Sequence, residues 1–229
     1  MGNYIRCGKD ESTGNFGCTC GTDEKDRPED YSDVHASGKI SNKVCFGAGC
    51  YWGTEKFFKH DFGGKRFPES NIKGMVGFMG PPNAPENPTY KDVCTGVTGH
   101  VEVYYIEFDG GSDMFENLVR FFFQFHDPTV PNRQGNDKGT QYASVIYCYD
   151  KAQMAICHKV KKELQEIVDR SLLPNVYASK TIVTAIEKST KFYPAHAAHQ
   201  DYLQKNPKGY CNHKIRFADW PVIVKPETS

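Results

Sequence analysis

Lys43-Val44-Cys45-Phe46 reads as a short strand, Gly47-Ala48-Gly49-Cys50 as a tight turn, and Trp52–His60 as a helix. A strand that ends in a glycine turn and leads at once into a helix constrains the fold strongly, and the alternation continues down the chain. Ile72–Met79 reads as a strand, and four prolines within Pro81–Pro88 mark a loop. Val101–Phe108 is β-rich and aromatic. Ser112–His126 reads as a helix, with Asp113 and Glu116 at capping spacing and Pro128 beyond its end. Tyr142–Tyr149 is a further strand, and Asp150 with Gln153 opens a helix to about Arg170. Thr181–Ile186 reads as a strand and Ala195–Gln204 as a short helix. No repeat or heptad array appears, and the connections do not force parallel pairing. The expected fold is α+β, a two-layer sandwich of helices on a mixed sheet.

Residues 1–42 differ from this pattern. They hold 5 basic and 8 acidic residues and few aliphatic ones. Such a segment buries too little apolar area to offset its ordering entropy, so it is expected to be a mobile tail, carrying Cys7, Cys18 and Cys20. The expected organisation is therefore a tail over 1–42, a catalytic domain over 43–211 and an extended tail over 212–229. Whole-chain charge balances at 28 Lys+Arg against 28 Asp+Glu, which gives no general reason to bind nucleic acid or an anionic membrane. No apolar run approaches a membrane span, and no secretory signal opens the chain. Met1-Gly2 lacks the Ser or Thr that myristoylation wants at position 6, where Arg6 stands. A reducing, cytoplasmic setting is expected. Nine cysteines, an odd count, argue against a fully oxidised framework and raise the question of what the sulfurs do.

Cys50 is the first candidate. At the start of a helix its thiolate would meet orphan N–H groups and the positive dipole end, which lower a thiol pKa, with Tyr51 and Trp52 as aromatic neighbours. A small buried cysteine at a helix end is the commoner case for an isolated Cys. Glu102 is the second. Strand alternation puts it on the face of Tyr104 and Ile106, where desolvation would keep the carboxyl protonated as a proton donor. A solvent-facing Glu is the plainer alternative. Cys211 is the third, after Asn206-Pro207-Lys208-Gly209-Tyr210, on an arm able to approach another sulfur or to remain a spare exposed thiol. The polar loop Arg133–Tyr142 is the fourth, a candidate site loop or a plain surface connection. Cys45, Cys94, Cys148 and Cys157 read as packing thiols.

Four other patterns carry less. His100-Val101-Glu102 matches half of a zinc-deaminase signature, but no P-C-x-x-C follows. His196 and His199 lack an evident third ligand, and Cys18-x-Cys20 with Cys7 lacks a second pair. Gly49-Cys50-Tyr51, with His196 and His199 lying 146 and 149 residues downstream, partly matches a papain-like protease. Gly47 and Gly49 depart from that pattern.

Four blocks in order resemble the peptide methionine sulfoxide reductase A family. They are Gly49-Cys50-Tyr51-Trp52-Gly53; Asn87–Tyr90 with Val93–Glu102; His126-Asp127-Pro128-Thr129 with Arg133–Tyr142; and His199–Cys211. The resemblance implies a ferredoxin-like core and reduction of the S epimer of methionine sulfoxide, free or in proteins. Cys50 would be the nucleophile and Glu102 the proton donor. Tyr90 and Tyr142 would hydrogen-bond the sulfoxide oxygen, with Asp137 ordering the site through water. Tyr51 and Trp52 would cradle the methyl group. Cys50 sulfenic acid would condense with Cys211, and thioredoxin would reduce the disulfide. The family needs no metal or organic cofactor, and a monomer is expected. Tyr51 stands where the family usually has Phe, and His196-Ala197-Ala198-His199 replaces a more acidic stretch. No cysteine follows Cys211, so either the disulfide goes directly to thioredoxin or a tail thiol relays it. A papain-like hydrolase and a binder of oxidised Met peptides without turnover remain the competing readings at the level of sequence.

Overall fold

The computed structural model describes residues 40–223. The expected N-terminal tail, including Cys7, Cys18 and Cys20, lies outside the described residues except for its last three positions. In chain order the elements are β1 (Lys43–Ala48), α1 (Tyr51–Lys56), a π-helical stretch Phe57–Arg66, β2 (Lys73–Met79), α2 (Tyr90–Cys94), β3 (Val101–Glu107) and α3 (Gly111–Phe125). Then come β4 (Arg133–Gln134), β5 (Asp137–Lys138), β6 (Ser144–Cys148), α4 (Lys151–Asp169), β7 (Ala185–Lys188), β8 (Tyr193–Pro194) and α5 (Tyr202–Lys205).

Six strands form one sheet in the order β7-β6-β1-β3-β2-β8, and β4 pairs with β5 in a separate hairpin. Every pairing in the six-stranded sheet is antiparallel except β6 with β7. The sheet is therefore mixed, with β1 central, and its C-terminal end delivers Cys50. Alternation along the strands divides the apolar residues between the two faces. Val44, Phe46, Val76, Phe78, Tyr104 and Ile106 join the large core with residues of α1, α3 and α4. Cys45, Val101, Val103, Val145 and Tyr147 form a smaller cluster on the other face, against which Phe192 packs. The fold is α+β, as expected.

Local contacts explain where the element boundaries differ from the sequence reading. The first helix stops being α-helical at Lys56 and continues as a π-helix, whose wider turns let Phe57, Phe58 and Phe62 all reach the core. Helix α3 starts on Gly110 at φ 105° with no side-chain cap, so Asp113 lies inside the first turn and the expected Asp113/Glu116 cap is absent. The Asp150 cap is present, its carboxylate accepting from Gln153 N at 2.7 Å. Tyr142 belongs to a 3-10 turn over Thr140–Tyr142, which delays β6 to Ser144. The strand expected over Thr181–Ile186 becomes Ala185–Lys188, because Ile182 N donates to Gln165 Oε1 and Val183 N to the Pro128 carbonyl. The helix expected over Ala195–Gln204 is broken by Asp201 at φ 55° into a 3-10 turn and α5. Gln200, just before the break, caps the edge of β2 through Val76 N at 2.8 Å and Val76 O at 2.9 Å.

Candidate active site

Cys50 sits at the junction of β1 and α1, as its N-cap. Gly49 adopts φ +93°, and a Cβ there would stand 2.4 Å from the Gln134 side chain, so both conformation and space call for glycine. The backbone N–H groups of Trp52 and Gly53 donate toward the Cys50 sulfur and favour the thiolate. Burial outweighs them and pushes the thiol up, with Glu102 and Asp137 adding to the rise. The helix-end donors expected from the sequence are present, but the net shift runs opposite to the expectation.

Glu102 is 1% exposed on the helix-covered face of β3, opposite Phe78 of β2. Its Oε2 accepts from Tyr51 N at 3.1 Å, which fixes the carboxyl beneath the first turn of α1. Desolvation raises its pKa to about 8, against the opposing pull of that N–H. At neutral pH the carboxyl is therefore predominantly protonated, which also removes most of its effect on Cys50.

Tyr142 closes the 3-10 turn after the β4–β5 hairpin, and its hydroxyl pKa is raised by burial and by Glu102, Asp137, Cys94 and Cys50 around it. It is a neutral donor. Asp137 lies on β5, held by Asn212 Nδ2 at 2.8 Å, and its carboxyl is raised by burial against hydrogen bonds from Asn212 and Tyr210. Tyr90 begins α2, whose Thr89 and Asp92 form a capping box. The Tyr90 hydroxyl donates to the thiol of Cys94. Cys94 is exposed and close to the site, so it is not the packing thiol the sequence suggested, whereas Cys45, Cys148 and Cys157 are buried.

Tyr51, 1% exposed, and half-buried Trp52 form an aromatic wall. Trp52 stacks on Tyr202 at 3.8 Å between centroids, and the His199 ring lies 5.7 Å from both Tyr51 and Trp52 and 4.7 Å from Tyr90. His199, weighed in the sequence as a metal ligand, is thus part of this wall. His196 caps the turn through Ala198 N. Among the described residues no group of three or more His, Cys, Asp or Glu is placed to hold a metal ion.

Cys211 follows α5, half-buried, and borders a groove lined by Lys56, His60, Leu203 and Pro207. The next two residues turn back into the site. Asn212 holds Asp137, and His213 is buried with its Nε2 2.6 Å from the Ala48 carbonyl.

A model of the family described as peptide methionine sulfoxide reductase matches residues 42–225. The chain belongs to the peptide methionine sulfoxide reductase family. Peptide methionine sulfoxide reductase MsrA of Methanoculleus marisnigri is 40% identical over 176 residues, 77% of this chain and 97% of that protein. MsrA of Methanothermobacter thermautotrophicus is 41% identical over 172 residues, 74% and 90% of the two chains. Among solved structures, reduced Mxr1 from Saccharomyces cerevisiae superposes with a TM-score of 0.64 at 31% identity, covering 78% of this chain and 93% of that one. Methionine sulfoxide reductase A of Corynebacterium diphtheriae gives 0.58 at 32%, covering 74% and 77%.

In this peptide methionine sulfoxide reductase, an oxidoreductase, the fold brings Cys50, Glu102, Tyr142 and Asp137 together, with Tyr90 and Cys94 beside them. Three buried or half-buried residues escaped the sequence reading: Gln134, Asn212 and His213. Gln134 was within reach of it, inside the polar loop Arg133–Tyr142. Asn212 and His213 fell just beyond the last family block, and only the folded chain shows them turning inward. Among the described residues no helix is long and apolar enough to cross a membrane.

Proposed function

We propose that this chain reduces the S epimer of methionine sulfoxide, free or in proteins, through a Cys50 sulfenic acid and a Cys50–Cys211 disulfide. The observation that carries the reading is the buried, predominantly protonated Glu102, held by Tyr51 N under the turn that presents Cys50. A sulfoxide oxygen is a poor leaving group. Protonation by Glu102 makes the sulfoxide sulfur electrophilic, and Tyr142 supplies a second, neutral donor to the same oxygen. Tyr90 shares that role once its hydroxyl turns from Cys94. The Cys50 sulfur attacks, and its thiol proton goes to the carboxylate that Glu102 has become. The hydroxyl passes from the substrate sulfur to the Cys50 sulfur as the substrate S–O bond and the transient bond between the two sulfurs break. Methionine leaves, its sulfur reduced by two electrons, and Cys50 is oxidised to sulfenic acid. Asp137 orders the donors through water. Tyr51 and Trp52 receive the methyl group, and an apolar wall on one side with hydrogen-bond donors on the other favours one sulfur configuration.

Cys211 then condenses with Cys50, releasing water, and thioredoxin reduces the disulfide. The groove beside Cys211 gives such a dithiol access. All these residues come from a single chain, which suits a monomer, and dependence on a dithiol suits a reducing cytoplasm. The reading is tested with a methionine-S-sulfoxide substrate and dithiothreitol. Methionine is expected from the wild type and none from Cys50→Ser. No methionine from the wild type would sink it.

A further inference from the structure

The resolving step needs Cys211 to lose a proton as it attacks, and one buried group faces its sulfur. His213 Nδ1 stands 4.0 Å from Cys211 Sγ, at the outer range of a thiol hydrogen bond, and the His213 carbonyl is at the same distance. The other ring nitrogen settles which way the imidazole is protonated. Nε2 is 2.6 Å from the Ala48 carbonyl, which can only accept, so Nε2 carries the hydrogen and Nδ1 presents a bare lone pair toward the thiol.

The ring is also anchored to the segment that carries Cys50. A Cβ on Gly53 would fall 2.0 Å from Nδ1, so the imidazole lies against the first turn of α1. Phe57 and Phe125 pack around it at 6.1 and 5.5 Å between centroids. His213 therefore bridges the two halves of the disulfide to be formed: Ala48 and Gly53 flank Cys50, and Nδ1 faces Cys211. We propose that His213 is a further catalytic residue of the resolving step, accepting the Cys211 thiol proton through Nδ1 as the S–S bond forms.

The step balances. Cys211 sulfur attacks the sulfur of Cys50–S–OH, the Cys50 S–O bond breaks, and the departing hydroxide takes the proton that Nδ1 has received, leaving as water. The imidazole ends neutral, so no buried cation persists. The charged and titratable groups around the ring set its resting protonation state. Arg216 on its own segment, Lys56 of α1 and His126 after α3 face it, and Cys211 lies alongside. Burial above all, then Arg216 and Lys56, pull the His213 pKa down to about 4 against the Ala48 hydrogen bond, so Nδ1 is free to accept at any physiological pH.

The inference rests on Cys211 being the resolving thiol. The test is single turnover of the full chain with methionine-S-sulfoxide and no reductant, timing methionine release and formation of the Cys50–Cys211 disulfide in the same reaction. In His213→Gln the amide can still donate to Ala48 O, but its oxygen is far too weak a base to take the thiol proton as Nδ1 would. The disulfide step is expected to slow about 100-fold or more relative to methionine release. Raising the pH from 6 to 8 should recover about tenfold per unit, as hydroxide takes over the proton that Nδ1 no longer accepts. A purely structural role would show no such recovery. In the wild type the disulfide step is expected to be level from pH 6 to 8, a measurement that holds even if His213→Gln does not fold. A wild-type rate rising tenfold per unit, or an unchanged ratio in His213→Gln, would overturn the inference. Absence of a Cys50–Cys211 disulfide in the wild type would instead overturn the role of Cys211.

Discussion

At the scale of single residues the proposed chemistry depends on the burial of Glu102. With one face of β3 under helices, its carboxyl has one backbone N–H as partner and is pushed to about pH 8. Glu102→Gln keeps the shape and loses the proton. Methionine release in a single turnover is expected to slow by about 10²–10⁴-fold, and chromatography of released methionine measures it. The wild-type rate of that step should fall as pH rises through about 8. Stability carries the same signature. The folded pKa lies above the unfolded value of about 4.5, so between the two the native state holds a proton that the unfolded chain has lost. Native stability then falls as pH rises, by about 1.4 kcal/mol per unit for this group. Urea melts at pH 5, 7 and 9 should show Glu102→Gln gaining on the wild type up to about pH 8 and no further. A constant gap would mean that Glu102 titrates normally. Alternation along Val101–Ile106 made this residue's face legible in the sequence. The state of Cys50 was not legible, because a helix end can be read from sequence while the burial that opposes it, and the nearby charges of Glu102 and Asp137, come from residues far along the chain.

Among the elements, the turn into α1 packs against the segment that follows Cys211, through the His213 ring. Gly53 is a poor helix former, and alanine there would gain about 1 kcal/mol in helix propensity. The His213 ring occupies the space that a methyl would need, and overpacking of this kind costs about 1–3 kcal/mol, more where the neighbour is fixed. Gly53→Ala is therefore expected to be destabilised in urea melts, and pairing it with His213→Ala should give less than the sum of the two losses. Strict additivity would show that the ring does not fill that space. Most strands and the two long helices were legible because their apolar periodicity and the Asp150 cap are local signals. Boundaries failed where distant groups took over backbone hydrogen bonds, as Gln165 and Pro128 do at residues 182 and 183. The segment after Cys211 shows no periodicity at all, so His213 could be found only through its long-range bond to Ala48.

For the molecule as a whole, the proposed cycle runs between the β1–α1 junction and a late segment that folds back onto it. Cys211→Ser should release about one methionine per chain and then stall with thioredoxin. Continued thioredoxin-supported cycling would remove Cys211 from the mechanism. Cys7, Cys18 and Cys20 lie outside the described residues, and in the proposed mechanism thioredoxin reduces the Cys50–Cys211 disulfide directly. Deleting residues 1–39 is accordingly expected to leave steady-state turnover with thioredoxin unchanged, and a marked fall would assign a relay to those thiols. The most direct test of the whole account is mass mapping of disulfides in the wild type after one turnover with methionine-S-sulfoxide and no reductant. The account predicts one methionine released and a Cys50–Cys211 bridge. A bridge from Cys50 to Cys94, or methionine released with no bridge at all, would contradict it.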